Sequence, residues 1–78
     1  MITLRLFPIL AQQSRSGRTE QEVLYHPGMT VEDILILEGL SGDAATAILA
    51  VVNEEQAAFE TPLKDGDVVE LILAVEGG

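Results

Sequence analysis

The chain has 78 residues, 47% of them hydrophobic, with no cysteine and a formal net charge of −9 from 13 acidic and 4 basic side chains. This length leaves room for one core. The apolar content argues against disorder, and the missing thiols exclude a disulfide framework, a thiolate metal site and a cysteine nucleophile. Charge of this sign is repelled by phosphate backbones and anionic lipid, so neither nucleic acid nor membrane is an expected partner and a basic protein is the natural complement. No basic stretch followed by a long apolar run opens the sequence, and the longest apolar run, Ala47 to Val52, is far too short to span a bilayer. Cytoplasmic residence is the expectation.

From Met1 to Phe7, apolar Ile2, Leu4 and Leu6 alternate with Thr3 and Arg5, the period of a strand, and Pro8 stops the ladder. Ile9 to Ser14 has room for a turn or two of helix with Pro8 near its start. Ser14 to Arg18 is polar and contains glycine, hence a loop. Glu20 to His26 reads as a second strand with Val23 and Tyr25 on one face, closed by a His26-Pro27-Gly28 turn.

Thr30 is placed to cap a helix, with Asp33 three residues on as the capping-box acid and Met29 and Ile34 as a hydrophobic staple. Glu32 and Asp33 put negative charge in the first turn, where the helix dipole favours it. Val31, Ile34, Leu35 and Leu37 mark the expected buried stripe, and Gly39 the left-handed stop. Ser41-Gly42-Asp43 breaks the chain. Ala47 to Asn53 is then read as a buried strand, against a rival helix over Asp43 to Val52, because its isoleucine and paired valines precede an Asn53-Glu54 turn. Gln56 to Phe59 pairs back across that turn. Lys64-Asp65-Gly66-Asp67 is a tight turn, and Val68 to Val75 is the last strand, with Val69, Leu71 and Leu73 on one face. This order predicts an α+β domain, a sheet of four to five strands on one main helix, with the first and last strands side by side at its centre.

Catalytic constellations are missing. His26 is the single histidine and sits beside a turn, as a solvated residue does. Asp65 and Asp67 flank a glycine, but the calcium-loop spacing and its distal glutamate are absent, so they read as turn formers. Glu54-Glu55 reads as a solvated turn, and the serines have no histidine–acid team. What remains is the Gly77-Gly78 end. Without Cβ atoms it can thread a channel that any other residue would block, delivering the Gly78 carboxylate to a partner's active site. A carboxylate becomes electrophilic once ATP converts it to an acyl-adenylate. A sulfur nucleophile then leaves a thiocarboxylate, and an amine leaves an amide.

Val52-Asn53, Pro62 through Glu70, and Val75 with Gly77-Gly78 resemble the molybdopterin synthase small subunit and the thiamine-pathway sulfur carrier, the MoaD/ThiS family; Thr30 through Leu35 matches the family's helix start. The most specific elements are the Leu-x-Asp-Gly-Asp turn and the Gly-Gly end at its distance from it. The resemblance implies a ubiquitin-like β-grasp fold over residues 1–78, with a flexible tail at 76–78. It also implies a sulfur carrier that acts as co-substrate and not as an independent enzyme. Gly78 is then the site of adenylation and thiocarboxylation, Gly77 supplies slenderness, and Val75 helps seat the tail on a partner. No cofactor is bound; ATP is used by an activating adenylyltransferase of the ubiquitin-activating type.

Length, and a segment from Phe7 to Arg18 long enough for an extra helix, favour the molybdopterin branch, whose acceptor is the large synthase subunit. Ile72-Leu73-Ala74-Val75 stands where that branch usually carries prolines, so a tungsten-cofactor relative, the thiamine pathway or another acceptor enzyme stays open. So do a ubiquitin-like modifier forming isopeptide bonds with lysines, and a noncovalent β-grasp interaction module.

Overall fold

A computed structural model describes residues 1–74. In chain order the elements are β1 (Ile2–Leu6), α1 (Pro8–Gln13), β2 (Glu20–Val23), α2 (Val31–Leu37), a 3-10 helix (Gly42–Ala47), β3 (Ile48–Val52), β4 (Glu55–Ala57) and β5 (Val68–Leu73). The five strands form one mixed sheet in the order β2-β1-β5-β3-β4. β5 is the middle strand, parallel to β1 and antiparallel to β3. The two outer pairs, β1 with β2 and β3 with β4, are antiparallel hairpins. This is the α+β architecture expected from the strand order, with the terminal strands adjacent at the centre.

One face of the sheet makes the core. Ile2, Leu4 and Leu6 of β1, Val69 and Leu71 of β5, and Ile48 and Ala50 of β3 are buried there, against Val31, Ile34 and Leu35 of α2. Alternation along each strand is what sorts these residues inward. The helix starts as its sequence dictates. The Asp33 N–H donates to Thr30 Oγ1 at 3.4 Å and the Thr30 N–H donates to the Asp33 carboxylate at 2.9 Å, closing the capping box in both directions. Met29 and Ile34, the staple pair, are both buried. Gly39 ends the helix at φ 72°.

Three expectations are corrected. Leu37 is not on the buried stripe; it is 48% exposed, while Glu38 is buried at 4%. At about 100° per residue, Glu38 falls between Val31 and Ile34 on the helical wheel, whereas Leu37 falls about 110° from the mean direction of Val31, Ile34 and Leu35. The buried carboxylate is satisfied from a distant loop. Ser16 Oγ donates to Glu38 Oε1 at 2.7 Å and accepts from Gln21 Nε2 at 2.8 Å, and the Arg15 N–H donates to the Glu38 carbonyl at 2.8 Å. Second, β2 stops at Val23, because β1 begins at its partner Ile2; Leu24 is out of the ladder and 76% exposed. Third, the pairing strand near Phe59 is Glu55–Ala57, one residue earlier and shorter than read. The rival helix over 43–52 survives only as the 3-10 turn of Gly42–Ala47 that precedes β3.

The Asn53-Glu54 hairpin turn has φ of 50° and 73° at its two central residues, with Val52 paired to Glu55 across it. Such a two-residue turn takes asparagine readily at the first position and prefers glycine at the second. Glu54 therefore sits in a conformation that costs a side-chain-bearing residue about 1–2 kcal/mol. Glu54→Gly is expected to raise stability by about 0.5–1 kcal/mol after the entropy cost of glycine. The urea midpoint should rise with an unchanged slope.

Candidate functional site

The candidate site is the end of β5 and the surface around it. Leu73 pairs with Ile48, and the Ala74 N–H donates to the Ala47 carbonyl at 2.7 Å. On the other flank the Phe7 N–H donates to the Leu71 carbonyl at 3.0 Å, just before Pro8 ends donation from that edge. The chain thus runs out of the middle of the sheet, between the end of β1 and the start of β3. Val75, Gly77 and Gly78, the residues expected to seat, slim and carry the reactive terminus, lie outside the described residues.

The face of the sheet turned away from α2 divides into two halves. At the exit end, Leu49 is the register partner of Ile72, and Phe7 follows Leu6, the partner of Leu71. Phe7, Ile72 and Leu49 therefore form an apolar row across three strands, with Phe7 half exposed and the other two half-buried. Val51 lies two residues along β3 on the same face. Apolar side chains at the outward parity of three adjacent strands are what a docking platform requires. Sequence alone does not join Ile72 to Phe7 and Leu49, because that row exists only once strand order and register are known.

The other half of the face is polar. Arg5, Asn53, Glu54, Val68 and Glu70 line a shallow open concavity, with the Arg5 guanidinium 3.7 Å from the Glu20 carboxylate. Below it lies the Leu-x-Asp-Gly-Asp turn, whose role is architectural. Leu63 is buried, and Gly66 takes φ 94°. Asp67 accepts from the Lys64 N–H and from Asn53 Nδ2, each at 2.8 Å, while Asn53 Oδ1 accepts from the Val68 N–H at 2.9 Å. The Thr3 N–H donates to the Asp67 carbonyl at 3.0 Å. Asn53 and Asp67 thereby tie the β3–β4 hairpin to the starts of β1 and β5, which fixes the register of the strand that carries the terminus.

Asp65 receives the Met1 ammonium. Among the described residues no group of three or more histidines or carboxylates is placed to hold a metal. His26 is exposed, its Nδ1 3.2 Å from the Pro27 carbonyl oxygen. No helix among the described residues is long and apolar enough to cross a membrane.

The element order and the mixed sheet together define a ubiquitin-like β-grasp protein. The model of the ThiS family matches residues 6–78, and the chain belongs to that family. Among solved structures it is similar to SAMP1 from Haloferax volcanii, with 25% identity over 99% of this chain and 98% of that one and a TM-score of 0.73. A second crystal structure, of H. volcanii small archaeal modifier protein 1, matches with 24% identity, 95% and 97% coverage and a TM-score of 0.73.

Proposed function

We propose that this chain is a sulfur carrier whose Gly78 carboxyl is activated by adenylation and converted to a thiocarboxylate. The observation that carries the reading is a ThiS-family chain whose central strand ends four residues ahead of Gly77. Beyond Ala74 four residues remain, a reach of at most about 14 Å when extended. The Gly78 carboxylate attacks the α-phosphorus of ATP on the activating enzyme, and pyrophosphate leaves. A sulfur nucleophile supplied by a partner then attacks the acyl carbon, and AMP departs with the C–O bonding electrons. This chain supplies no sulfur of its own, since its only sulfur atoms are the thioethers of Met1 and Met29.

The activating partner is an adenylyltransferase of the ubiquitin-activating type, and the Phe7–Ile72–Leu49 row is the platform on which it seats the protein. The net charge of −9 draws a basic face toward it and speeds encounter. The acceptor is the molybdopterin synthase large subunit, a role favoured by α1, which fills the segment between β1 and β2 with a helix. A cytoplasmic setting fits these partners.

A second reading, a protein modifier joined to lysines through Gly78, is favoured by the names of the two similar solved structures. It shares the adenylate and differs in the nucleophile.

Pyrophosphate exchange catalysed by the activating enzyme tests the platform. Ile72→Asp places a carboxylate in the middle of the row, on the outward face, and a melting curve of the variant confirms that it is folded under the assay conditions. The KM for this protein is expected to rise about tenfold or more with kcat little changed, the cost of a charge in the centre of an interface. An unchanged KM removes the platform from the account.

A further inference from the structure

We propose that Glu70 is the polar anchor of the platform: a basic side chain of the activating enzyme pairs with its carboxylate and fixes the orientation in which the apolar row is seated. The inference rests on the platform reading above and adds the contact that gives it direction. β5 reads Val68-Val69-Glu70-Leu71-Ile72-Leu73, one charged residue among apolar ones on the middle strand of the sheet. Glutamate is among the residues depleted in strands. Register places it in a cross-strand row, Glu20–Arg5–Glu70–Val51, on the face turned away from α2. That row holds two carboxylates and one guanidinium, and the Arg5 guanidinium lies 3.7 Å from Glu20. Among the described residues the ion pairs are Met1–Asp65 and Arg5–Glu20, so the half-buried Glu70 carboxylate enters none. Asn53, a polar neighbour in the concavity, is committed to Asp67 and to the Val68 N–H. Glu54 adds a second negative charge to the same concavity.

The sheet makes this carboxylate a neighbour of the apolar row. Glu70 and Ile72, Arg5 and Phe7, and Val51 and Leu49 are each two residues apart along one face, a step of about 7 Å. The charged row therefore runs beside the apolar one. Apolar contact is non-directional, and a row of three similar side chains can be covered in two opposed orientations. A charge on one side of the row removes that ambiguity. The fitting group is a long basic side chain, whose methylene stem lies along Val68 in the concavity while its head meets Glu70. Closing an interface over the pair excludes water and strengthens the attraction. A second copy of this chain is the wrong occupant: with 13 acidic and 4 basic side chains it would bring mostly like charge to Glu70.

Pyrophosphate exchange by the activating enzyme is measured on the full chain as wild type, Glu70→Gln, Glu70→Asp and Glu32→Gln, with melting curves showing each folded at the assay temperature. Glu32 is exposed on α2, across the sheet from the platform, so Glu32→Gln makes the same change in net charge at a remote place. Glu70→Gln is expected to raise the KM about tenfold with kcat little changed. Glu32→Gln is expected to stay within about twofold, the share of long-range steering. Glu70→Asp, which keeps the charge, is expected to recover part of the loss. An unchanged KM for Glu70→Gln beside a raised KM for Ile72→Asp would overturn the anchor and leave the platform standing. Equal rises for Glu70→Gln and Glu32→Gln would also overturn it, since net charge alone then accounts for both. No exchange with the wild type would overturn the anchor together with the activation it rests on.

Discussion

Removing Gly78 is expected to abolish thiocarboxylate formation and sulfur transfer while leaving the melting temperature of the domain within error of the wild type. In the proposed reaction the carboxyl belongs to that residue, and moving it back by one position would draw it about 3.5 Å out of the activating site. A misplacement of about 1 Å can already cost a hundredfold in rate. Gly77→Val leaves the carboxyl at its place in the sequence but adds a β-branched side chain to the segment that must pass through a narrow channel, and it too is expected to reduce transfer below detection. Among the described residues the core members lie between Ile2 and Leu71. Transfer by either variant at the wild-type rate contradicts the role given to the glycine pair. Loss of transfer together with a lowered melting temperature would place these residues in the fold instead.

Leu71→Ala is expected to have the largest effect on stability. Leu71 is fully buried on the middle strand, paired with Leu6 on one side and Ala50 on the other. Truncating a leucine at such a place costs about 3 kcal/mol, because the removed methyl groups leave a cavity between elements that cannot close over it. The pairing to Ala50 leaves no large neighbour on that side to fill the space. A domain of this size holds roughly 4–12 kcal/mol in all, at about 0.05–0.15 kcal/mol per residue. The melting temperature should therefore fall by about 15 °C. Leu71→Met, which keeps the volume, should cost less than about 1.5 kcal/mol. A chemical denaturation series on the three proteins checks this. Equal losses for alanine and methionine would show that the site is not packed as described.

Local signals were legible where the physics is local. The Thr30–Asp33 capping box, the Met29–Ile34 staple, the left-handed stop at Gly39, the tight turn at Gly66, and the alternation in β1 and β5 all stand as the sequence indicated, because each depends on residues within a few positions of one another. Glu38 was not legible. A carboxylate at the end of a helix reads as solvated, and what buries it is the hydroxyl of Ser16, 22 residues earlier, brought in by the loop between α1 and β2. The Asn53–Asp67 bond has the same character: both residues were singled out as turn formers, and only the sheet shows that the turns support one another. The platform needed register as well. Phe7, Leu49 and Ile72 are spread over 65 positions, and each alone looks like an ordinary apolar residue at a strand's outward position. The Gly77-Gly78 end is a reading of the sequence alone, and it lies outside the described residues.

The chemical state of Gly78 decides whether this protein is a sulfur carrier. Intact-mass analysis of the protein after incubation with ATP, a sulfur donor and the activating enzyme is predicted to show one oxygen replaced by sulfur, with fragmentation placing the change at Gly78. A terminus that keeps both oxygens while the enzyme demonstrably turns over ATP on this protein, or a sulfur found on any other residue, would contradict it.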